Sequence, residues 1–264
     1  MDAFLVHGDQ VYRPRIPVPL LNFMTPVVAL VEGIWRDHAD QARAILRSRI
    51  YVNYAFTPAC EGMIKVAAKR ASTLSCEDFA VQLEMVLALK RGVLVSPLTE
   101  LEFNSSEYLG KRLSEEDVTH LLMKLRRNGS VNPERFRSDR AVSALLLGPQ
   151  REILAYGWNL NATVKIRHAE HELVRSWLLR EKMKIPNYCT LYTSLKPCAM
   201  CAGEIFTACE DFSKIGIRYL EEDTGPMATN SILIKNTQLW RNAGCPALIL
   251  EKIGVVETAP DYPS

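Results

Sequence analysis

The chain has 264 residues, 48% hydrophobic and 23% charged, with a formal net charge of +2. That balance suits a globule able to bury a core and excludes a uniformly basic nucleic-acid binder, so any electrostatic footprint has to be local. Seven cysteines, an odd number, argue against a closed disulfide set and for a reducing cytosol.

The N-terminal stretch MDAFLVHGDQVYRPR lacks a basic segment followed by an apolar core. No apolar run approaches the roughly 18 residues of a membrane span, and the expected location is the cytoplasm. Residues 25–48 carry apolar side chains at helical spacing, Val27, Val28, Val31, Ile34, Trp35, Ala39, Ala42, Ile45 and Leu46, which predicts one long helix. A strand follows from Ile50 to Phe56, then helices over about 59–72 and 76–91, the second with an acidic start at Glu77 and Asp78. Ser114-Glu115-Glu116-Asp117 opens a further helix whose last turn holds Lys124, Arg126 and Arg127, ahead of Asn128-Gly129. Residues 1–136 therefore read as a mostly helical accessory module with one or two strands.

The pattern changes near residue 140. Ala141–Leu147 and Glu152–Tyr156 are strands joined by the short turn Gly148-Pro149-Gln150-Arg151, a hairpin. A helix over about 168–183 buries Leu173, Val174, Trp177 and Leu178; Thr190–Leu195 is a strand, and Pro197 opens the next helix. Lys214–Leu220 is a strand, residues near 229–240 are helical, and Ala247–Val256 is the last strand. Residues 137–264 thus form an α/β domain with helices packed on a mixed sheet.

Within this half, His168-Ala169-Glu170 is followed thirty residues on by Pro197-Cys198-Ala199-Met200-Cys201. Two cysteines three apart on a first helical turn share one side and can grip one ion. His168 supplies a third ligand and leaves the fourth tetrahedral position for water, which separates a working zinc from a structural one. Glu170 stands where it can move that water's proton without binding the metal. One zinc per chain is expected, held by His168, Cys198 and Cys201, with Glu170 as the catalytic acid–base. The histidine-x-glutamate and proline-cysteine-x-x-cysteine pair is the signature of zinc nucleobase deaminases.

The resemblance extends further. Tyr156-Gly157-Trp158-Asn159, His168-Ala169-Glu170 and Leu191 through Gly203 resemble the bacterial tRNA adenosine deaminases of the cytidine/deoxycytidylate deaminase superfamily, over roughly residues 138–240. Thr224–Thr229 is similar to the small-residue turn that these enzymes carry. The resemblance implies a three-layer cytidine-deaminase-like domain, a mixed central sheet with helices on both faces, preceded by the mostly helical α/β module. It also implies that Asn159 and the backbone N–H of Ala169 hold the target base. Lys196 replaces the family's usual glutamate before the proline, the loop Asn161–Arg167 departs from its usual sequence, and no basic helical tail closes the chain.

The expected reaction is therefore hydrolytic deamination of an amino-nucleobase, with adenosine in a tRNA-like RNA as the first substrate. Cytosine, guanine or a free nucleotide, and a non-catalytic zinc module that binds nucleic acid, are the alternatives. The front module either orients a polynucleotide or covers the surface that the tRNA enzymes use to dimerise, which would make the chain a monomer rather than a homodimer. His171 is expected as a partly exposed helix residue, and His7, His38 and His120 as ordinary ones. The run Lys124–Arg140 holds six basic residues against two acidic and reads as a solvated connection or a phosphate guide. Trp158 and Tyr156 either stack on a base or pack in the core. Finally, His38-Ala39-Asp40 and Pro58-Ala59-Cys60 faintly repeat the metal motif, with Met63 where a second cysteine would stand. Against a decayed copy, the apolar stripe runs unbroken through His38. No zinc is expected in this half.

Overall fold

The computed structural model describes residues 1–17, 20, 23–97, 107–132, 134, 136, 140–162, 164–229, 231–235 and 250–253. Two five-stranded mixed sheets organise them, one in each half of the chain. In the front half, Ala3–His7 (β1) and Gln10–Pro14 (β2) form a hairpin. Pro26–Asp37 (α1) and Ala42–Ile45 (α2) lead to Arg49–Val52 (β3). Pro58–Ala67 (α3) leads to Arg70–Thr73 (β4), and Cys76–Leu89 (α4) to Arg91–Val95 (β5). The sheet order is β4-β3-β1-β2-β5, with β1 antiparallel to both neighbours and the two outer pairs parallel.

Two expectations are corrected here. The front module holds five strands, not the one or two expected. β3 answers to the strand expected from Ile50, but the other four were missed because each has only four or five residues, and β4 and most of β5 are not fully buried, so no alternating pattern develops. The stripe from Val27 to Leu46 also belongs to two helices. α1 ends at Asp37, where the N–H of His38 closes on Ile34 O, and the chain turns before α2. Both helices bury the same core, so the stripe continues while the backbone breaks.

In the back half, Glu115–Arg126 (α5) is opened by a capping box in which Ser114 and Asp117 exchange hydrogen bonds. Ser143–Leu147 (β6) and Ile153–Trp158 (β7) form the expected hairpin. Ala169–Glu181 (α6), Thr190–Leu195 (β8), Ala199–Ala208 (α7), Gly216–Glu221 (β9) and Leu250–Lys252 (β10) follow. Pro197 precedes the α7 cap, Cys198, rather than opening the helix itself. The order is β10-β9-β8-β6-β7, with β6 antiparallel to both neighbours and β8, β9 and β10 parallel. This is the expected α/β arrangement. Residues 232–235 are helical, and the rest of the helix expected near 229–240, like most of the strand expected over 247–256, lies outside the described residues.

Successive strand residues face opposite ways, and β6 is buried on both sides, which explains its unbroken apolar run. Ala144 and Leu146 meet α6 and α7 through Leu173, Trp177 and Ile205. Leu145 and Leu147 meet α5 through Val118, Leu122 and Leu125. In the front half, α1 and α3 cover Leu5, Tyr12 and Ile50, while Phe79 of α4 covers Phe4 and Val11 on the opposite face. α3 packs on α7, so α1, α3, α6 and α7 form one middle layer between the two sheets.

This middle layer contains a cluster of four charged side chains. Glu32 of α1 is fully buried and ion-pairs with Arg175 of α6. His171 Nε2 lies 3.2 Å from Glu32 Oε1, and its Nδ1 lies 2.7 Å from Glu204 Oε2. His171 is thus 1% exposed, not the partly exposed residue expected, because α6 is covered by the sheet on one side and by the front half on the other. Burial would raise the Glu32 carboxyl, but Arg175 and His171 outweigh it and pull its pKa to about 2. Burial would lower the His171 imidazole, but Glu204 and Glu32 outweigh it and raise its pKa to about 10.

The stability linkage follows from these directions. Glu32 stabilises fully above its ordinary value of 4.5 and loses the contribution as pH falls toward about 2. His171 stabilises fully below 6.5 and loses the contribution as pH rises toward about 10. The urea midpoint is expected to be highest between these limits and to fall on the alkaline side as the unfolding free energy drops by an amount on the order of 1–3 kcal/mol. A midpoint that stays level from pH 6.5 to 9.5 would show that His171 carries no charge in the fold.

Candidate active site and metal centre

Two helix starts build the site. His168 is the cap residue of α6, Cys198 is the cap residue of α7, and Cys201 sits one turn into α7. Both helices leave the same edge of the sheet, one after β7 and one after β8. Their exposed N–H groups and positive dipole ends converge there. His168 Nδ1, Cys198 Sγ and Cys201 Sγ form a triangle with every side 3.6 Å. Tetrahedral ligands with bonds of about 2.0–2.3 Å lie roughly 3.3–3.8 Å apart, so one nitrogen and two sulfurs so arranged fit a zinc ion. Among the described residues, these three form the group of ligand-type side chains whose donor atoms converge.

The local charges favour the ligating forms. The Cys198 thiol is pulled well below its usual pKa by the hydrogen bond from Cys201 and by the His168 imidazole, against burial. Burial and the neighbouring Cys198 push Cys201 up, an effect that a bound cation would oppose. Glu170 lies beside the triangle and is 3% exposed, and burial and the Cys198 charge raise its pKa to about 7. Thr193 Oγ1, with one proton to donate, lies 2.8 Å from Leu195 O and 3.4 Å from Glu170 Oε1 and can point to either. The sequence reading missed Thr193. Its inward position on β8, directly before the cysteine turn, was the available signal.

A cleft of about 260 Å³ opens over His168, Glu170 and Cys198. Asn159 and Asn161 line it on one side, and Pro226 and Met227 on another, with Ala199 N donating to Met227 O at 2.7 Å. Asn159 is 3% exposed. Its Oδ1 accepts the Ala169 N–H at 2.7 Å, and its Nδ2 donates to Arg140 O at 2.7 Å. The Ala169 N–H, expected on the base, is therefore engaged by Asn159, which locks the start of α6. Arg140, Lys165 and Lys196 also line the cleft, where Arg140 stands 3.8 Å from Asp223 and Lys196 3.0 Å from Glu222. Val66, from α3 of the front half, closes one wall, and Lys165 Nζ donates to its carbonyl at 3.1 Å. A local motif cannot reveal that contribution.

Other expectations separate from the site. Tyr156 and Trp158 pack with Tyr108 on the α5 face of the sheet, as core. Of the basic run, Arg126 pairs with Glu221 at 2.5 Å, while residues 133, 135 and 137–139 lie outside the described residues. His7 Nδ1 meets Ser48 Oγ at 2.9 Å, and His38 stacks edge-on against Tyr12. No helix among the described residues is long and apolar enough to cross a membrane.

Comparison with known proteins gives one family-model match over part of the chain and several similar solved structures. The sequence model of the family described as Bd3614-like deaminase matches residues 133–243. No curated protein matches the chain. Similar solved structures include a diaminohydroxyphosphoribosylaminopyrimidine deaminase/5-amino-6-(5-phosphoribosylamino)uracil reductase from Thermotoga maritima. It is 21% identical with a TM-score of 0.36, and the match covers 53% of this chain and only 36% of that one. A structure from work on A-to-I editing by tRNA:A34 deaminases is 21% identical with a TM-score of 0.35, covering 53% of this chain and 98% of that one. Guanine deaminase from Bacillus subtilis is 22% identical with a TM-score of 0.33, covering 42% of this chain and 67% of that one.

Proposed function

We propose that the chain, which the Bd3614-like deaminase model matches over residues 133–243, is a zinc-dependent hydrolytic deaminase of an amino-nucleobase, acting on adenosine in RNA. The observation that carries the reaction is the 3.6 Å triangle of His168, Cys198 and Cys201 with the buried Glu170 carboxylate beside it, at the floor of an open cleft. Zinc held by these three side chains supplies Lewis acidity, which in comparable sites lowers the pKa of water from about 15.7 toward 7. Glu170 takes the first proton from the attacking water and delivers it to the ring nitrogen; it then carries the proton of the added hydroxyl to the amine, so that the C–N bond breaks, ammonia leaves and the carbonyl forms. Thr193 can hold one carboxylate oxygen for that exchange. Asn159 holds the α6 start in place and has hydrogen-bonding capacity left for a base, since an amide offers two donors and two lone pairs.

Two features support a polynucleotide. The motifs from Asn159 to Gly203 resemble those of tRNA adenosine deaminases, and Arg140, Lys165 and Lys196 line the cleft, two of them beside Asp223 and Glu222, which a phosphate would displace. Cations so placed position a phosphate backbone without reading sequence. The test offers the purified protein transfer RNA, single-stranded DNA and free bases together, and measures inosine, uracil, xanthine and ammonia. Inosine forming in RNA is the expected result. Uracil or xanthine with no inosine would replace adenosine by cytosine or guanine, and ammonia from free bases alone would remove the polymer.

A further inference from the structure

Four of the five strands of the front half repeat four of the back half. β2-β1-β3-β4 has the same order and directions as β7-β6-β8-β9. The registers also agree. Ala3 opposes Val52 as Ala144 opposes Thr193, and Leu5 opposes Ile50 as Leu146 opposes Leu191. Arg49 opposes Arg70 as Thr190 opposes Gly216. In each half a helix follows the hairpin and another follows the antiparallel third strand. The departure is the fifth strand, which joins β2 in the front half and β9 in the back.

Helix starts locate the corresponding centre. Thr25 caps α1 as His168 caps α6, and Thr57 caps α3 as Cys198 caps α7. Cys60, three residues on, takes the place of Cys201. Val27 takes the place of Glu170, and Tyr54 that of Leu195. The ligand triangle has thus become Thr25, Thr57 and Cys60. The three side chains still converge, with Cys60 Sγ 3.2 Å from both threonine hydroxyls. Tyr54 OH fills in beside them, 3.6 Å from Cys60 Sγ and 3.2 Å from Val27 N. The faint repeat at His38 was therefore misaligned, whereas its Pro58-Ala59-Cys60 part falls on the right helix.

The contacts between the halves obey a pseudo-twofold axis. Gly62 on α3 faces Ala199 and Met200, and Gly203 on α7 faces Pro58 and Ala59. These are the same pairs with the roles exchanged, as in an isologous interface. Across the same axis Glu32 and Arg175 are equivalent positions, and they pair with each other. A second back half docked on this face would set Arg175 against Arg175, which the present partner avoids with Glu32.

We infer that the front half is a second deaminase fold whose metal centre has been dismantled, and that it takes the place of a partner subunit by covering the α6–α7 face and closing the cleft with Val66. The inference rests on the zinc site proposed for the back half, but on neither its substrate nor its turnover.

The test counts zinc in the full chain and in Thr25→His/Tyr54→Leu/Thr57→Cys, which restores the back half's pattern around Cys60. One ion per chain is expected in the parent and two in the variant. A parent without zinc overturns the proposed function, whereas a folded variant that still holds one ion overturns the duplication. If the triple variant does not fold, Thr57→Cys alone is titrated with Cd²⁺, since it restores a buried thiol pair. One extra thiolate-bound ion supports the inference and none overturns it. Light scattering at micromolar concentration is expected to return the mass of a single chain, and a mass of two chains would overturn the partner role.

Discussion

Glu170→Ala is expected to keep one zinc per chain and to lower turnover by about 10²–10⁴-fold, the usual range for removing a general acid–base group. The zinc is expected to stay because the three donor atoms converge without any help from Glu170. Turnover is expected to fall because Thr193 Oγ1, which can point toward Glu170, has Leu195 O as its alternative partner and cannot accept and return a proton in its place. Truncation also removes a buried acid, so the variant should fold at least as well as the parent. Ammonia release with the best substrate and metal content by elemental analysis are the two readouts. Unchanged ammonia release would remove Glu170 from the chemistry. Loss of zinc together with activity would show that the carboxylate supports the metal instead.

Gly203→Ala is expected to destabilise the fold by about 1–3 kcal/mol or more, the range for forcing atoms into a packed interior. The sign makes this informative, because glycine to alanine inside an ordinary helix gains about 1 kcal/mol. Here the new Cβ would fall closer than 3.0 Å to the carbonyl group of Pro58, which is backbone that cannot swing aside. Gly62→Ala meets the carbonyl group of Ala199 in the same way, so the two variants should lose similar amounts. The double variant should lose less than their sum, because the first substitution already parts α3 from α7. Urea midpoints measure the effect. A midpoint equal to or above the parent's in both single variants would show that the helices do not approach as closely as described.

The chemistry was legible in the sequence because a metal site is largely local. Cys198 and Cys201 need only one helical turn to share an ion, and the alternation of strands and helices after residue 140 places His168 beside them. The hairpin, β8 and the helix starts were readable for a related reason: β6 is apolar but for Ser143, β8 is built of strand-favouring Thr, Tyr and Leu with one Ser, and the caps follow directly. β1, β2, β4 and β5 were not, since strands of four or five residues acquire meaning only from their neighbours in the sheet. His171 was misjudged on the same grounds, because its burial depends on a helix 140 residues away in the chain.

By itself, the order of residues singled out His168, Cys198 and Cys201 as the converging side chains, Glu170 as the acid beside them, and the α/β character of the second half, all of which follow from spacing and side-chain chemistry within short segments. Tertiary structure alone decided that four strands of the first half take the order and directions of four in the second, that Val66 walls the cleft, and that Glu32, His171, Arg175 and Glu204 meet in one buried cluster. Those features arise where two helix pairs meet across an axis. Contacts across such an axis join residues far apart in sequence, and their periodicity is that of each separate helix.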